Sequence, residues 1–132
     1  MLLVDGEGTP LSVVTTAAST AEVHAVETLV DERATPDTPK RLMYDKAADA
    51  DWLRDALSLR GIELICPHRR HRTQPPTQDG RPLRRYKRRY KVERTISWLH
   101  NYRRLITRWE YYPELFESFV HLACLYTILK GF

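Results

Sequence analysis

Cysteine is nearly absent from this chain of 132 residues, which holds two, Cys66 and Cys124. They lie far apart and no Cys-x-x-Cys occurs. This argues against a disulfide framework and makes reduced thiols in a cytoplasmic protein the expectation. Long apolar runs are missing too: no stretch approaches the roughly 18 residues of a membrane span, so no membrane partner is expected. The opening Met1-Leu-Leu-Val-Asp5 is too short and too acidic for a signal peptide. No internal repeat is visible. What is present is enough chain for one modest domain with a real core.

Acidic residues are scarce where bases crowd together. Residues 1–65 hold 12 acids and 6 bases, a net of −6; residues 66–110 hold 14 bases and 3 acids, a net of +11. The remaining 22 residues contribute −1, so the overall net charge is +4. A basic block interleaved with Tyr86, Tyr90, Trp98, Tyr102 and Trp109 suits a polyanion such as DNA, although a merely soluble basic surface has the same composition. No sequence-specific code is visible in it.

Hydrophobic periodicity divides the chain into elements. Leu2–Asp5, a turn through Gly6-Glu-Gly-Thr-Pro10, and Leu11–Ala17 predict a β-hairpin. A helix over Ala21–Glu32 carries Val23, Val26, Leu29 and Val30 on one stripe, with Ser19 or Thr20 placed to cap it. Arg41–Tyr44, a helix from about Asp49 to Arg60, and Ile62–Cys66 predict strand, helix, strand: one parallel βαβ unit, with Trp52, Leu53, Ala56, Leu57 and Leu59 as the apolar positions of its helix and Gly61 as its stop. Residues 68–82, including Asp79-Gly80, predict an exposed, mobile basic loop. A long helix over Arg84–Arg108 follows, with Val92, Ile96, Leu99, Ile106 and Trp109 turned inward. The last helix, Glu114–Leu129, starts behind Pro113 and packs through Leu115, Phe119, Leu122, Ala123, Tyr126 and Leu129.

Two places carry chemistry. On a single helix, Tyr86, Arg89, Glu93 and His100 fall within roughly 60° of each other. That stripe sets one carboxylate among donors, as a metal-dependent phosphoryl-transfer site on DNA requires; a solvated face with an Arg89–Glu93 ion pair is the plainer alternative. Asp45 follows a strand directly, where ligand and metal groups gather in α/β sheets. Such an Asp is commonly a helix cap, but Asp49 or Asp51 can serve that purpose here and leave Asp45 available. Cys66, His68 and His71 are metal-ligand types without a fourth partner at matching spacing, so no site is expected there. Trp98 and Trp109 could stack on bases; core packing is the simpler expectation for both.

Three segments, Leu2–Val14, Asp45–Arg54 and Tyr86–Leu105, together resemble bacterial insertion-sequence transposases of the DDE type, most closely the insertion-sequence-five-like family. The resemblance runs over nearly the whole chain. It implies an RNase H-like α/β fold, built here from the hairpin, the βαβ unit and long C-terminal helices. It also implies two divalent ions, Mg2+ or Mn2+, held by two aspartates and a glutamate. The second aspartate falls on Asp45 and the glutamate on Glu93. The family's Y-x2-R-x3-E-x6-K signature falls on Tyr86, Arg89, Glu93 and His100, with His100 in place of lysine and therefore weaker or pH-dependent on phosphate. Ala48 stands where tyrosine is frequent.

The family's first aspartate lies on a strand ahead of the one that begins this chain, and Asp5 maps to the following strand. Residues 1–132 are therefore expected to be a partial DDE catalytic domain lacking a central strand. Its hairpin would be weakly tied to the βαβ unit, and it would be inactive unless an upstream segment or a second copy completes it. Asp45 and Glu93 would bind metal, Tyr86, Arg89 and His100 would grip the phosphate, and Arg85, Arg88, Arg103 and Arg104 would steer DNA. A non-catalytic DNA-binding regulator and an inactive remnant are the alternatives.

Overall fold

Leu2–Val4 (β1) and Pro10–Val13 (β2) pair antiparallel, with Leu2 opposite Val13 and Leu3 opposite Ser12. The structure, a computed structural model, describes residues 1–17, 19–78 and 80–131. β2 ends at Val13, short of the run 11–17: Met1 and Val14 still exchange backbone hydrogen bonds, but the Thr15 N–H goes to Glu117 instead of a strand partner. The turn is closed by Asp5, whose Oδ1 accepts the N–H groups of Glu7 (2.7 Å) and Thr9 (2.9 Å).

The helix expected over 21–32 starts as a 3-10 turn, Glu22–Ala25, and becomes α-helical at Val26–Asp31 (α1). Its N-cap is Ala21 and makes no side-chain bond. The capping expected of Ser19 or Thr20 does not occur, since the chain there turns on itself through a Thr20 N–H to Ala17 carbonyl bond. The inward stripe is as expected, with Val26, Leu29 and Val30 buried.

Arg41–Met43 (β3), Asp51–Leu59 (α2) and Glu63–Ile65 (β4) form the βαβ unit, β3 and β4 parallel with Leu42 opposite Leu64. α2 buries Leu53 and Leu57, whereas Trp52 (45% exposed) and Leu59 (91%) fall off that stripe and face outward, against expectation. Trp52 instead stacks on His24. Among the described residues the two sheets are separate, each of two strands. The hairpin is nonetheless held. Leu3 shares one core with Leu42, Leu53 and Leu64. The Ser12 hydroxyl donates to the Leu29 carbonyl, and the Ala34 N–H to that of Leu11 (2.8 Å). α1 thus supplies the tie that the expected weakness of the hairpin left out.

The basic segment departs most. The loop after β4 is not free: His68, Arg69 and Arg72 all bond to Asp49. Helix begins earlier, at Gly80–Tyr86 (α3), tightens to 3-10 geometry at Lys87–Arg89, and resumes as Tyr90–Leu99 (α4). Asp79, half of the expected Asp79-Gly80 turn, lies outside the described residues. α3 buries no side chain, so packing does not hold this run of bases in α geometry.

The single helix over 84–108 therefore does not exist. α4 ends at Leu99, Tyr102 is extended (φ −87°, ψ 112°), and Arg103–Ile106 (α5) is a separate turn. Thr95 and Leu99 are the buried residues of α4, Val92 is half-buried, and Ile96, Ile106 and Trp109 are 39%, 65% and 70% exposed rather than inward. Pro113–Lys130 (α6) buries Ala123, Cys124 and Thr127, leaves Phe119 half-buried, and exposes Leu115, Leu122, Tyr126 and Leu129 by more than half. That helix is apolar on nearly every side, so its contact with Val13 and Leu99, not its periodicity, selects the buried face. Among the described residues no helix is long and apolar enough to cross a membrane.

Candidate functional site

Asp45 ends the β3 segment and is itself the cap that Asp49 or Asp51 was expected to supply. Its Oδ1 accepts the Ala47 N–H at 2.7 Å and caps the 3-10 turn Lys46–Ala48. Neither Asp49 nor Asp51 caps α2, whose N-cap is Ala50 and makes no side-chain bond. The other oxygen of Asp45, Oδ2, lies 3.6 Å from Arg89 Nη2. Arg89 Nη1 donates to Glu93 Oε1 at 2.6 Å, one helical turn along. One guanidinium thus spans two carboxylates brought from a strand end and from α4. All three side chains reach solvent: Arg89 is 32% exposed, Asp45 40% and Glu93 57%.

The remaining signature residues are placed differently from the single-helix stripe. Tyr86 ends α3, half-buried, and Arg89 follows in the 3-10 turn, whose three residues per turn shift the later positions around the axis. His100 is the exposed C-cap of α4, its N–H bonded to Ile96 O. Among the described residues no hydrogen bond or ion pair joins Tyr86 or His100 to Asp45, Arg89 or Glu93.

The turn bearing Asp45 is buttressed from behind by groups to which sequence reasoning assigned no such role. The Asp49 side chain is 1% exposed and meets Arg54 (3.1 Å), His68 (2.8 Å) and Arg72 (3.2 Å), while its Oδ2 accepts the Arg69 N–H at 2.7 Å. Burial pushes its carboxyl up, but the Arg69 N–H, His68 and Arg54 outweigh burial and hold it at about 2. Arg69 then donates to the carbonyls of Lys46 (3.1 Å) and Ala47 (2.9 Å), directly after Asp45. A cluster of Asp49-Ala-Asp51 facing His68–Arg72 across a loop was the available signal.

A second clasp fixes α4, the helix of Glu93. The Thr95 hydroxyl donates to Gly8 O at 2.6 Å and Arg94 to Glu7 O at 2.6 Å; Lys91 bonds Gly6 O and pairs with Glu7. Gly8 has φ +96°, and a Cβ there would lie 3.1 Å from both Arg94 Nη2 and Thr95 Oγ1. The glycine is required by both the backbone and the contact.

At least half of the basic block is engaged within the chain. Arg69, Arg72, Arg89, Lys91, Arg94, Arg104 and Arg108 all bond internally, Arg104 to Glu110 at 2.9 Å with Phe119 beneath it. Among the described residues, Arg70, Arg84, Arg85, Lys87, Arg88 and Arg103 make no ion pair or hydrogen bond to the rest of the chain. Four of these lie on the turns just before Arg89, which sets an open cationic surface beside the Asp45–Arg89–Glu93 cluster.

Carboxylate oxygens suit hard divalent cations. Asp45 and Glu93 supply two such groups, but among the described residues no three His, Cys, Asp or Glu side chains gather. The residues present fit part of a metal site. Cys66 is buried with Arg54 Nη2 2.8 Å from its Sγ, and burial pushes its thiol up; His71 is exposed. Trp98 is half-buried with Arg94 4.7 Å above its ring. Trp109, expected in the core, is not there.

Comparison with known proteins gives the family. The family described as the transposase DDE domain matches residues 1–128. A Burkholderia cepacia protein described as a transposase for insertion sequence element IS402 is 34% identical over 131 residues, a match covering 93% of this chain and 58% of that protein. The chain thus spans less than two thirds of the length of that relative. No solved structure matches. The chain belongs to the DDE-domain transposases of bacterial insertion sequences.

Proposed function

We propose that this chain is part of a transposase catalytic domain, of RNase H-like fold across residues 1–132, that cuts DNA at transposon ends and joins it to a target. The observation that carries this is the single Arg89 guanidinium shared by Asp45 and Glu93 beside an open cationic surface. Asp45 and Glu93 would hold divalent metal, Mg2+ or Mn2+, two ions in the complete enzyme. Bound there, the metal would supply Lewis-acid activation of the attacking water or 3′-hydroxyl and stabilise the leaving oxygen. This chain's residues do the rest. Arg89 keeps the two carboxylates paired in the resting state and turns to the phosphate beside the scissile bond when they are neutralised otherwise. Tyr86 and His100 assist that grip, and Arg85, Arg88, Arg103 and Arg104 hold the DNA backbone without reading bases.

Asp45 and Glu93 are two carboxylates of the family's three, and the third would come from another segment. An upstream transposase segment or a second copy would provide it. The same observation favours a second function, a DNA-binding regulator that occupies transposon ends without cutting them. The test is Mg2+-dependent nicking of a transposon-end duplex by this chain, alone and with the rest of a full-length transposase added as a second polypeptide. Nicking only with both chains, abolished by Glu93→Gln, is expected. Robust nicking by this chain alone would overturn the need for a third group. Binding without cutting in either case would favour the regulator.

A further inference from the structure

The segment Thr107–Tyr112 between α5 and α6 has no regular structure, yet it is firmly held. Arg108 donates to the carbonyls of Glu110 (3.0 Å) and Tyr111 (2.9 Å). The Glu110 side chain, 7% exposed, accepts the Trp109 N–H (3.1 Å) and pairs with Arg104 (2.9 Å). A segment so fastened still presents Trp109 to solvent at 70% exposure. Trp109, Arg103 and Arg104 line an open concavity of about 400 Å³. Among the described residues Arg103 makes no ion pair or side-chain hydrogen bond, and Arg104 is already committed to Glu110. An uncovered indole beside an uncommitted guanidinium has the two chemistries that an unpaired nucleotide offers: a π-face to stack and a phosphate to pair. A base inside a duplex is already stacked on both faces and offers the first to nothing. An apolar protein segment would also cover Trp109, but it would leave Arg103 facing apolar surface.

We propose that this concavity binds an unpaired nucleobase, with Trp109 as the stacking platform and Arg103 on the adjoining phosphate. This rests on DNA being the polyanion partner. The test is fluorescence anisotropy with three labelled duplexes: blunt, with a short single-stranded overhang, and with the same overhang abasic. The base-bearing overhang should bind about 5- to 150-fold tighter than the abasic one, the range that stacking one base supplies. Trp109→Ala should erase that difference without altering the thermal melt or blunt-duplex affinity, and Trp109→Phe should keep most of it. Equal binding of the two overhangs by the wild-type chain, or a preference that survives Trp109→Ala, would overturn the proposal while leaving DNA binding intact. Failure to bind any duplex would overturn the DNA reading and this one with it. Trp109→Ala dispersing a self-associated species while overhang preference stays unchanged would mean that Trp109 faces a second copy instead.

Discussion

Replacing Asp49 by Asn keeps the shape of the side chain and removes its charge from a site that water does not reach. Arg72 keeps Asp51, at 2.6 Å, but Arg54, only 11% exposed, keeps neutral acceptors alone: the carbonyls of Leu64 and Cys66 and the Cys66 sulfur. The amide must also set one group against the Arg69 N–H or against the three basic side chains, since it has one acceptor where the carboxylate had two. Breaking a buried pair by removing one partner costs about 3–5 kcal/mol. The lower end applies here, about 3 kcal/mol, because the cations remain partly hydrated. For a chain of this length that corresponds to roughly 10 °C in Tm. Urea unfolding followed by circular dichroism is the assay, with an unchanged slope showing that the same surface unfolds. Trypsin adds a local readout, since residues 69–72 should be cut faster once Asp49 releases them. A loss under about 1 kcal/mol with unchanged proteolysis would show that the loop is not anchored through this carboxylate.

The same group sets an acid limit. Its carboxyl is held at about 2, below the ordinary ~3.9, so the unfolded chain takes up its proton first as pH falls. The stabilisation, about 2 kcal/mol, is complete above roughly pH 4 and is lost as pH drops towards 2; urea melts across that range should show it, and Asp49→Asn should remove that share of the slope. Gly8→Ala should cost about 1–3 kcal/mol in the same melts, since φ is +96° and Arg94 and Thr95 crowd the new Cβ, whereas Gly6→Ala, with nothing within 4 Å, should cost much less. DNA affinity measured against salt should fall with a log–log slope near −5, as the six cations uncommitted among the described residues predict. A slope near −12 would mean that the internally paired bases also reach phosphate.

Where local signals agreed with packing, the sequence was readable. Arg41–Cys66 folds as the expected parallel unit because short apolar strands, a positive-φ Gly61 and Pro67 punctuate it on every side. The hairpin followed from Gly6 and Gly8 in the same way. The break at 100–102 was hidden because Tyr102 and Leu105 still pack beside Leu99, so the apolar rhythm runs on while the backbone does not. In α6 apolar residues occur on all sides, and periodicity had nothing to select. At the candidate site, ordered motifs pointed to Asp45 and Glu93, which the structure brings to one guanidinium. Their sharing of Arg89 and the buttress from Asp49 were not legible, because both depend on side chains from segments distant in sequence.

On the proposed function, Asp45 and Glu93 form a cation site that Arg89 occupies in the resting chain. Electron paramagnetic resonance of free Mn2+ titrated with the chain tests it most directly, without requiring catalysis. Weak Mn2+ uptake is expected, lost in Asp45→Asn and in Glu93→Gln, and tightened in Arg89→Ala because a competing positive charge leaves the pair. Uptake that survives both carboxylate substitutions, or that weakens with Arg89→Ala in a folded chain, would contradict it.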